Sequence, residues 1–373
     1  MVVPSAPAEQ PTVAVYGAGG YTGRLLCREL ASRGMRLVLA GRDASRLQPL
    51  AEELGDAVVE VAGAQLQDRG ALRRAFAGAR VLANCAGPFA TTGEPVLRAA
   101  LESGCHYLDT TGEQTWIKQV FDRHDGALRQ AGVAAVPGMG FDYVPGDLLC
   151  HLVGARCEPL SDLLLAYRLQ GFGMTRGTMR SSLEMLKGGD VAYREGDWVP
   201  AGAGPLRAFV EFPDPVGRRQ VGKYPSGEIV TVPRHLRLSN LRSVISLDSL
   251  VPGPGASLLP AALPGFALAM RSPLASVLDR VIGLLPEGPA EEQRRAVSWT
   301  ILVKATGQDG SRASGVVRGR DVYGLTAQTM AAGVERMAAA DFAKAGALAP
   351  ASAFDPAELL AALEPFGLSW EVS

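Results

Sequence analysis

Val13-Ala-Val-Tyr-Gly-Ala-Gly-Gly-Tyr-Thr-Gly23 decides the fold of this chain. Val13 to Tyr16 read as a short apolar strand, Gly17 to Gly20 as a turn, and Tyr21 onward as the start of a helix. Gly17 lets the chain turn sharply where the strand ends. Gly19 and Gly20 carry no Cβ, so a pyrophosphate can approach their backbone closely. Gly23 lets the helix pack tightly on its strand. Amides at the helix start, around Tyr21 and Thr22, then face the phosphates, favoured by the helix dipole. This is the logic of the first turn in a dinucleotide-binding fold. The spacing, Gly17-x-Gly19-x-x-x-Gly23, is a variant of the usual one. A strand before it, a helix after it and a second strand at Leu37–Ala40 support the reading. A tight turn without a ligand is the alternative.

Outward from the turn, short apolar strands alternate with helices. Strands are expected at Val58–Val61, Arg80–Asn84, His106–Asp109 and Val133–Val136. Such alternation predicts an α/β, doubly wound parallel Rossmann sheet over residues 12–150. About twenty residues past the glycines, NAD-binding folds place an acid on the ribose 2′-hydroxyl. Here the residue is Arg42, whose guanidinium suits the 2′-phosphate of NADP. Asp43 keeps an NAD reading open, and its other role is to cap the helix after it. Asn84, Ala86, Gly87 and Pro88 end the fourth strand, where the cofactor would lie. Thr110 and Glu113 form a capping-box pattern, or Asp109 and Glu113 serve a substrate. The loop Pro137–Pro145 ends the sixth strand. It offers Gly140 to the cofactor and Asp142 and Tyr143 as catalytic candidates. In its other reading it is a hinge, with Asp142 capping the next helix.

Beyond residue 150 the pattern changes to strands with few helices. Residues 151–321 are expected to form a second, mixed α+β substrate and dimerisation domain rich in antiparallel strands. Residues 322–373 should supply C-terminal helices that return to the first domain, with one long helix from Tyr323 to about Lys344. Residues 1–11 read as a disordered lead-in.

The net charge of −1 gives no reason to expect nucleic acid or an anionic membrane as partner. Five cysteines and four histidines are scattered without ligand spacing, so neither a metal site nor a disulfide framework is expected, and the compartment is read as reducing and cytoplasmic. The uncharged run Ser249–Met270 contains Pro252, Pro254, Pro260 and Pro264, which would break a spanning helix, so no transmembrane segment is expected. Residues Leu250 to Leu285 read as an apolar substrate tunnel, a core, or the interface of a homodimer.

The Gly17–Gly23 turn, Ala40-Gly-Arg42, Asn84–Phe89, Tyr107–Glu113 and Pro137–Asp142 occur in one order that resembles the saccharopine dehydrogenase-like reductase family. Within it they look most like the trans-acting enoyl reductases of polyketide and lipid synthesis. Glu287-Gly-Pro289 before Arg294 and Arg295, and Asp321–Ala327, resemble the same branch. The resemblance implies a Rossmann domain using NADPH, with hydride transfer to an activated double bond. It also implies a small-molecule or carrier-bound acyl substrate and a polyketide synthase partner. An enolate would be held by the hydroxyls of Tyr143, Thr178 and Ser181 and the amides of Gly138–Gly140. Asp142 is expected to order its loop through backbone amides, and Tyr143 to face the substrate. Two other readings stay open. One is an imine reductase, for which Arg168, Arg176, Arg180 and Arg207 could grip carboxylates. The other is a non-catalytic NADP sensor or scaffold. None of the eight tyrosines has Lys four residues on, which sets aside the short-chain dehydrogenases.

Overall fold

A computed structural model of the chain describes residues 11–186, 189–202, 208–250 and 274–373. The expected lead-in, Arg207 and most of the Leu250–Leu285 stretch lie outside the described residues.

Two sheets organise the protein. The first holds β1 (Thr12–Tyr16), β2 (Arg36–Gly41), β3 (Val58–Gly63), β4 (Val81–Asn84), β5 (His106–Asp109), β6 (Ala134–Val136) and, from the C-terminal tail, the short Gly346–Ala347. Every pairing in it is parallel, and β1 lies between β2 and β4. Helices cover both faces, so β1 is buried from Val13 to Tyr16. Successive side chains of a strand point to opposite faces. Val13 and Val15 accordingly join the core under Leu26 and Leu30, while Ala14 and Tyr16 join the one under Phe76 and Leu97. Strand order reverses between β1 and β4, and ligands bind at such a switch point. The glycine turn and the segment Cys85–Pro88 sit at its carboxyl ends.

The second sheet contains β7 (Leu160–Gln170), β8 (Val191–Arg194), β9 (Asp197–Pro200), β10 (Ala208–Phe212), β11 (Gly217–Lys223), β12 (Leu238–Ser246), β13 (Ser298–Gly307) and β14 (Arg312–Arg320). Its order runs β10-β11-β12-β7-β13-β14, with the β8–β9 hairpin attached to β12. All pairings are antiparallel except β7 with β12.

The tail joins both sheets. Its main helix is Val322–Ala338, shorter than expected, because the chain then drops to form β15 (Gly346–Ala347) beside β6. Lys344 lies beyond that helix and donates to the carbonyls of Ser352 and Ala353. The helix packs along Tyr21–Ser32, where Arg33 bonds Gln328 at 2.6 Å and Gln328 bonds Glu29 at 2.6 Å. The last strand, β16 (Ser369–Val372), pairs with β14 in the second sheet instead.

Candidate functional site

The glycine turn has the shape a pyrophosphate needs. Gly17 has φ +82°, and a Cβ there would lie 2.9 Å from the Ala86 nitrogen. A Cβ on Gly23 would collide with the Gly17 carbonyl group, so only glycine lets the helix seat on the turn. Gly19 faces Leu47, and Gly20 is the N-cap of the helix Tyr21–Ser32. No side chain caps this helix and no acid lies in its first turn. Arg24 is the first residue whose amide bonds within it, to Gly20 at 2.9 Å. The amides from Tyr21 to Gly23, including that of half-buried Thr22, are therefore left for an anion. The Tyr21 ring turns toward the second lobe, where its hydroxyl donates to the Pro289 carbonyl at 2.8 Å.

Arg42 is exposed at the end of β2 and pairs with no carboxylate among the described residues. It borders an open cavity of about 610 Å³ together with Gly63, Gln65 and Asp68. Asp43 is engaged as an N-cap: it accepts the Ser45 amide at 3.0 Å and the Ser45 hydroxyl at 2.7 Å, which hold its carboxyl below the usual range. Of this pair, Arg42 is the side chain left for a ribose phosphate. Asn84 is buried. Its Nδ2 donates to the Tyr107 hydroxyl at 3.1 Å and its Oδ1 accepts the Ala86 amide at 3.0 Å, so it shapes Ala86–Pro88 from beneath.

Two buried acids hold the floor. Asp109 accepts the Thr111 and Gly138 amides at 3.1 and 2.9 Å, the Tyr107 hydroxyl at 2.7 Å and the Trp116 indole at 2.8 Å. Burial raises its pKa, and the four donors oppose that. Glu113 corrects the capping-box reading. It accepts the Phe89 and Ala90 amides at 2.8 and 2.7 Å, so it caps the helix Phe89–Glu102 rather than its own. It also accepts the Ser181 hydroxyl at 2.7 Å. That bond fixes the second-lobe helix Arg176–Leu186 over Gly87, whose added Cβ would lie 3.4 Å from Ser181 Oγ. Ser181 thus uses its proton on Glu113 and is no free donor.

The loop after β6 differs from expectation in its two central residues. Tyr143 does not face an open cleft. It is buried against Ile117 and Val230, and its hydroxyl donates to the Gly112 carbonyl at 2.5 Å. Asp142 takes no backbone amide among the described residues; its Oδ1 accepts the Tyr224 hydroxyl at 3.1 Å. It is half-buried, and burial pushes its pKa up to about 6. The amides of Gly138 and Met139 are engaged by Asp109, and that of Phe141 by Thr326, which removes Gly138 and Met139 as enolate donors. Gly140 is buried against Thr326.

Opposite the glycine turn, Tyr323 accepts the Thr175 amide at 2.8 Å and meets the Thr178 hydroxyl at 3.0 Å. Thr178 and Thr175 hydroxyls are 2.9 Å apart. Tyr224 and Glu228 were not legible as site residues, because each stands alone in sequence; Tyr323 lies in the Asp321–Ala327 stretch, but its partners Thr175 and Thr178 are 148 and 145 residues away. Glu228 is fully buried, meets the Tyr167 hydroxyl, and burial lifts its pKa to about 8. The cysteines are free thiols, and among the described residues no helix is long and apolar enough to cross a membrane.

A switch-point glycine turn, an arginine after β2 that pairs with no carboxylate among the described residues, and a second sheet beside the first define a two-lobed NADP(H)-binding protein. Residues 13–136 match the saccharopine dehydrogenase NADP binding domain, so the chain carries the NADP-binding domain of that family. A Mycobacterium tuberculosis protein named as a trans-acting enoyl reductase is 31% identical over 185 residues, 47% of this chain and 44% of that protein. Human saccharopine dehydrogenase-like oxidoreductase is 30% identical over 155 residues, 36% of this chain and 35% of its own length. The chain thus spans less than half the length of these curated relatives. Apo saccharopine dehydrogenase (L-Glu forming) from Saccharomyces cerevisiae shares the fold: the TM-score is 0.62 over 97% of this chain and 100% of that chain, at 12% identity.

Proposed function

We propose that the chain is an NADPH-dependent oxidoreductase that saturates the activated double bond of an enoyl thioester, with Asp142 as proton donor. The observation that carries this reading is Asp142 itself. It is half-buried where the lobes meet, has a single described hydrogen bond, and burial pushes its pKa up to about 6. A carboxyl poised there is a competent general acid. Tyr224 is a poorer one, because burial drives its pKa well above that of an ordinary tyrosine.

Gly17–Gly23 would hold the pyrophosphate and Arg42 the 2′-phosphate. When bound, NADPH supplies the hydride. Asp142 would deliver its proton to Cα of the substrate, and Tyr224 would stabilise the carboxylate left behind. Tyr143, packed beneath the loop, fixes Asp142 in place. Glu113 and Ser181 hold the second-lobe helix over Gly87 and exclude water there.

A substrate without its own carboxylate is favoured by the state of the arginines. Arg168 and Arg180 lie 3.6 and 2.7 Å from Asp248 and Asp279. The relative named as trans-acting points to an acyl chain presented by a separate synthase, and free thiols fit a reducing, cytoplasmic setting. The test is NADPH consumption by the purified chain with 2-enoyl thioesters, imino acids, or neither. Turnover of the thioester supports the reading, and turnover of imino acids alone replaces it. NADPH binding without turnover of either would leave a sensor or scaffold.

A further inference from the structure

A cluster of charge sits on the glycine turn. Arg24 folds back from the helix Tyr21–Ser32, and its Nη1 donates to the Gly19 carbonyl at 2.5 Å. Its Nη2 pairs with Glu287 at 2.5 Å. The other oxygen of Glu287 lies 3.9 Å from Arg176 of the second lobe. The Arg176 amide donates to the Glu287 carbonyl at 3.1 Å. Beside them, a Cβ on Gly288 would lie 2.6 Å from the Tyr21 ring, and Tyr21 bonds Pro289. Glu287–Pro289 therefore lies across the turn. Arg294 is close by but is held by Asp321 at 3.0 Å.

Two guanidinium groups, one from each lobe, share one carboxylate beside the amides left for an anion. A pyrophosphate carries two charges, whereas the glycine amides offer only dipoles. We propose that Arg24 and Arg176 are the pyrophosphate-binding cations, and that Glu287 is a stand-in which the cofactor's phosphates displace. This rests on the NADP(H) reading of the turn. Arg24, Arg176 and Glu287 each keep about a third of their side-chain surface exposed, at 31%, 31% and 36%. Ion pairs of that exposure are weak, so a doubly charged ligand outcompetes the carboxylate. The second-lobe arginine also couples cofactor binding to the approach of the two lobes.

The experiment is fluorescence titration of NADPH into the full chain and its Arg24→Met, Arg24→Lys, Arg176→Met and Glu287→Gln variants. Adenosine 2′-phosphate, which lacks the pyrophosphate, is the control ligand, and thermal unfolding verifies folding. Arg24→Met should weaken NADPH about 10- to 100-fold, leave adenosine 2′-phosphate unchanged, and be largely rescued in Arg24→Lys. Arg176→Met should weaken NADPH in the same selective way. Glu287→Gln should tighten NADPH about two- to fivefold, because the competing charge is gone. Weaker binding by Glu287→Gln would make Glu287 a clamp and overturn the proposal. So would unchanged affinity in Arg24→Met, or an equal loss for both ligands. A wild-type chain that binds no NADPH would instead overturn the cofactor reading.

Discussion

Replacing Asp142 by Asn should stabilise the protein and slow it. In the native state burial raises the Asp142 pKa from 3.8 to about 6. At about 1.4 kcal/mol per unit, keeping that carboxylate ionised costs up to about 3 kcal/mol of stability. Between the unfolded and folded pKa values the native state binds the extra proton. Stability therefore falls as pH rises from about 4 to about 6, and the whole penalty persists above that window. Asn carries no charge, and its carbonyl oxygen can still accept the Tyr224 hydroxyl. The variant should melt at a higher temperature than wild type near pH 7.5, by an amount worth roughly 1–3 kcal/mol, and the gap should close below about pH 4. Turnover should fall by about 10²- to 10⁴-fold, and the loss of wild-type activity above about pH 6 should disappear. Thermal unfolding across a pH series and NADPH oxidation rates measure both. A variant no more stable than wild type near neutral pH would show that Asp142 carries no ionisation penalty. Full turnover would show that the proton comes from elsewhere.

Gly23→Ala places a methyl against the Gly17 carbonyl group; it should lift the helix from the turn, cost about 1–3 kcal/mol, and weaken NADPH binding about tenfold or more, read by melting and titration. Glu113→Gln turns an NH₂ group toward one of three donors, so chemical denaturation should show a loss of about 1–3 kcal/mol. Arg42→Ala should weaken NADPH by about one to two decades and leave NADH nearly unchanged, a difference that equal losses would refute.

The first sheet was legible because its signals are local. Gly17 and Gly23 mark a turn and a close helix seat within seven residues, and β1 to β6 each announce themselves as short apolar runs. What was not legible depends on partners far away in sequence. Thr110-x-x-Glu113 has the spacing of a local capping box, yet Glu113 serves amides 24 and 23 residues earlier and a hydroxyl 68 residues later. Tyr143 looked available because a tyrosine in a glycine loop can point either way; Ile117 and Val230 decide that it points inward. Tyr224 meets Asp142 across 82 residues, with no motif around it. The β8–β9 hairpin was readable in principle. Glu195 and Gly196, at φ +53° and +84°, make the turn of a two-residue loop, between Val191–Arg194 and Asp197–Pro200. The helix from Val322 was overextended because alanine-rich sequence continues past Ala338, while the pairing of Gly346 with Ala134 requires the chain to leave the helix.

The buried carboxyls separate by how fully their oxygens are satisfied, and the proposed mechanism rests on that separation. Asp109 accepts four donors and Glu113 three. Asp147 accepts the Thr231 hydroxyl at 2.6 Å, His235 at 3.1 Å and the Ala351 amide at 2.8 Å. His235 and these donors hold its carboxyl below the usual range despite burial, so it ties the helix Val144–Gly154 to the second lobe and the tail as a charged group. An acid with such a set of donors is fixed, and protonating it would leave some of those donors without an acceptor. Glu228 is the opposite case. Among the described residues its Oε2 has no hydrogen-bond partner, it has no exposure, and its raised pKa favours the protonated form at neutral pH. It lies beneath Gly146 with Tyr167, sealed from any substrate. Asp142 lies between these extremes: it is undersaturated, its pKa is near neutrality, and it is only half-buried. A proton donor has to lose its proton without dismantling the fold and has to reach the reacting atom. Asp109, Glu113 and Asp147 fail the first requirement and Glu228 the second, which is why the proposed mechanism draws on Asp142.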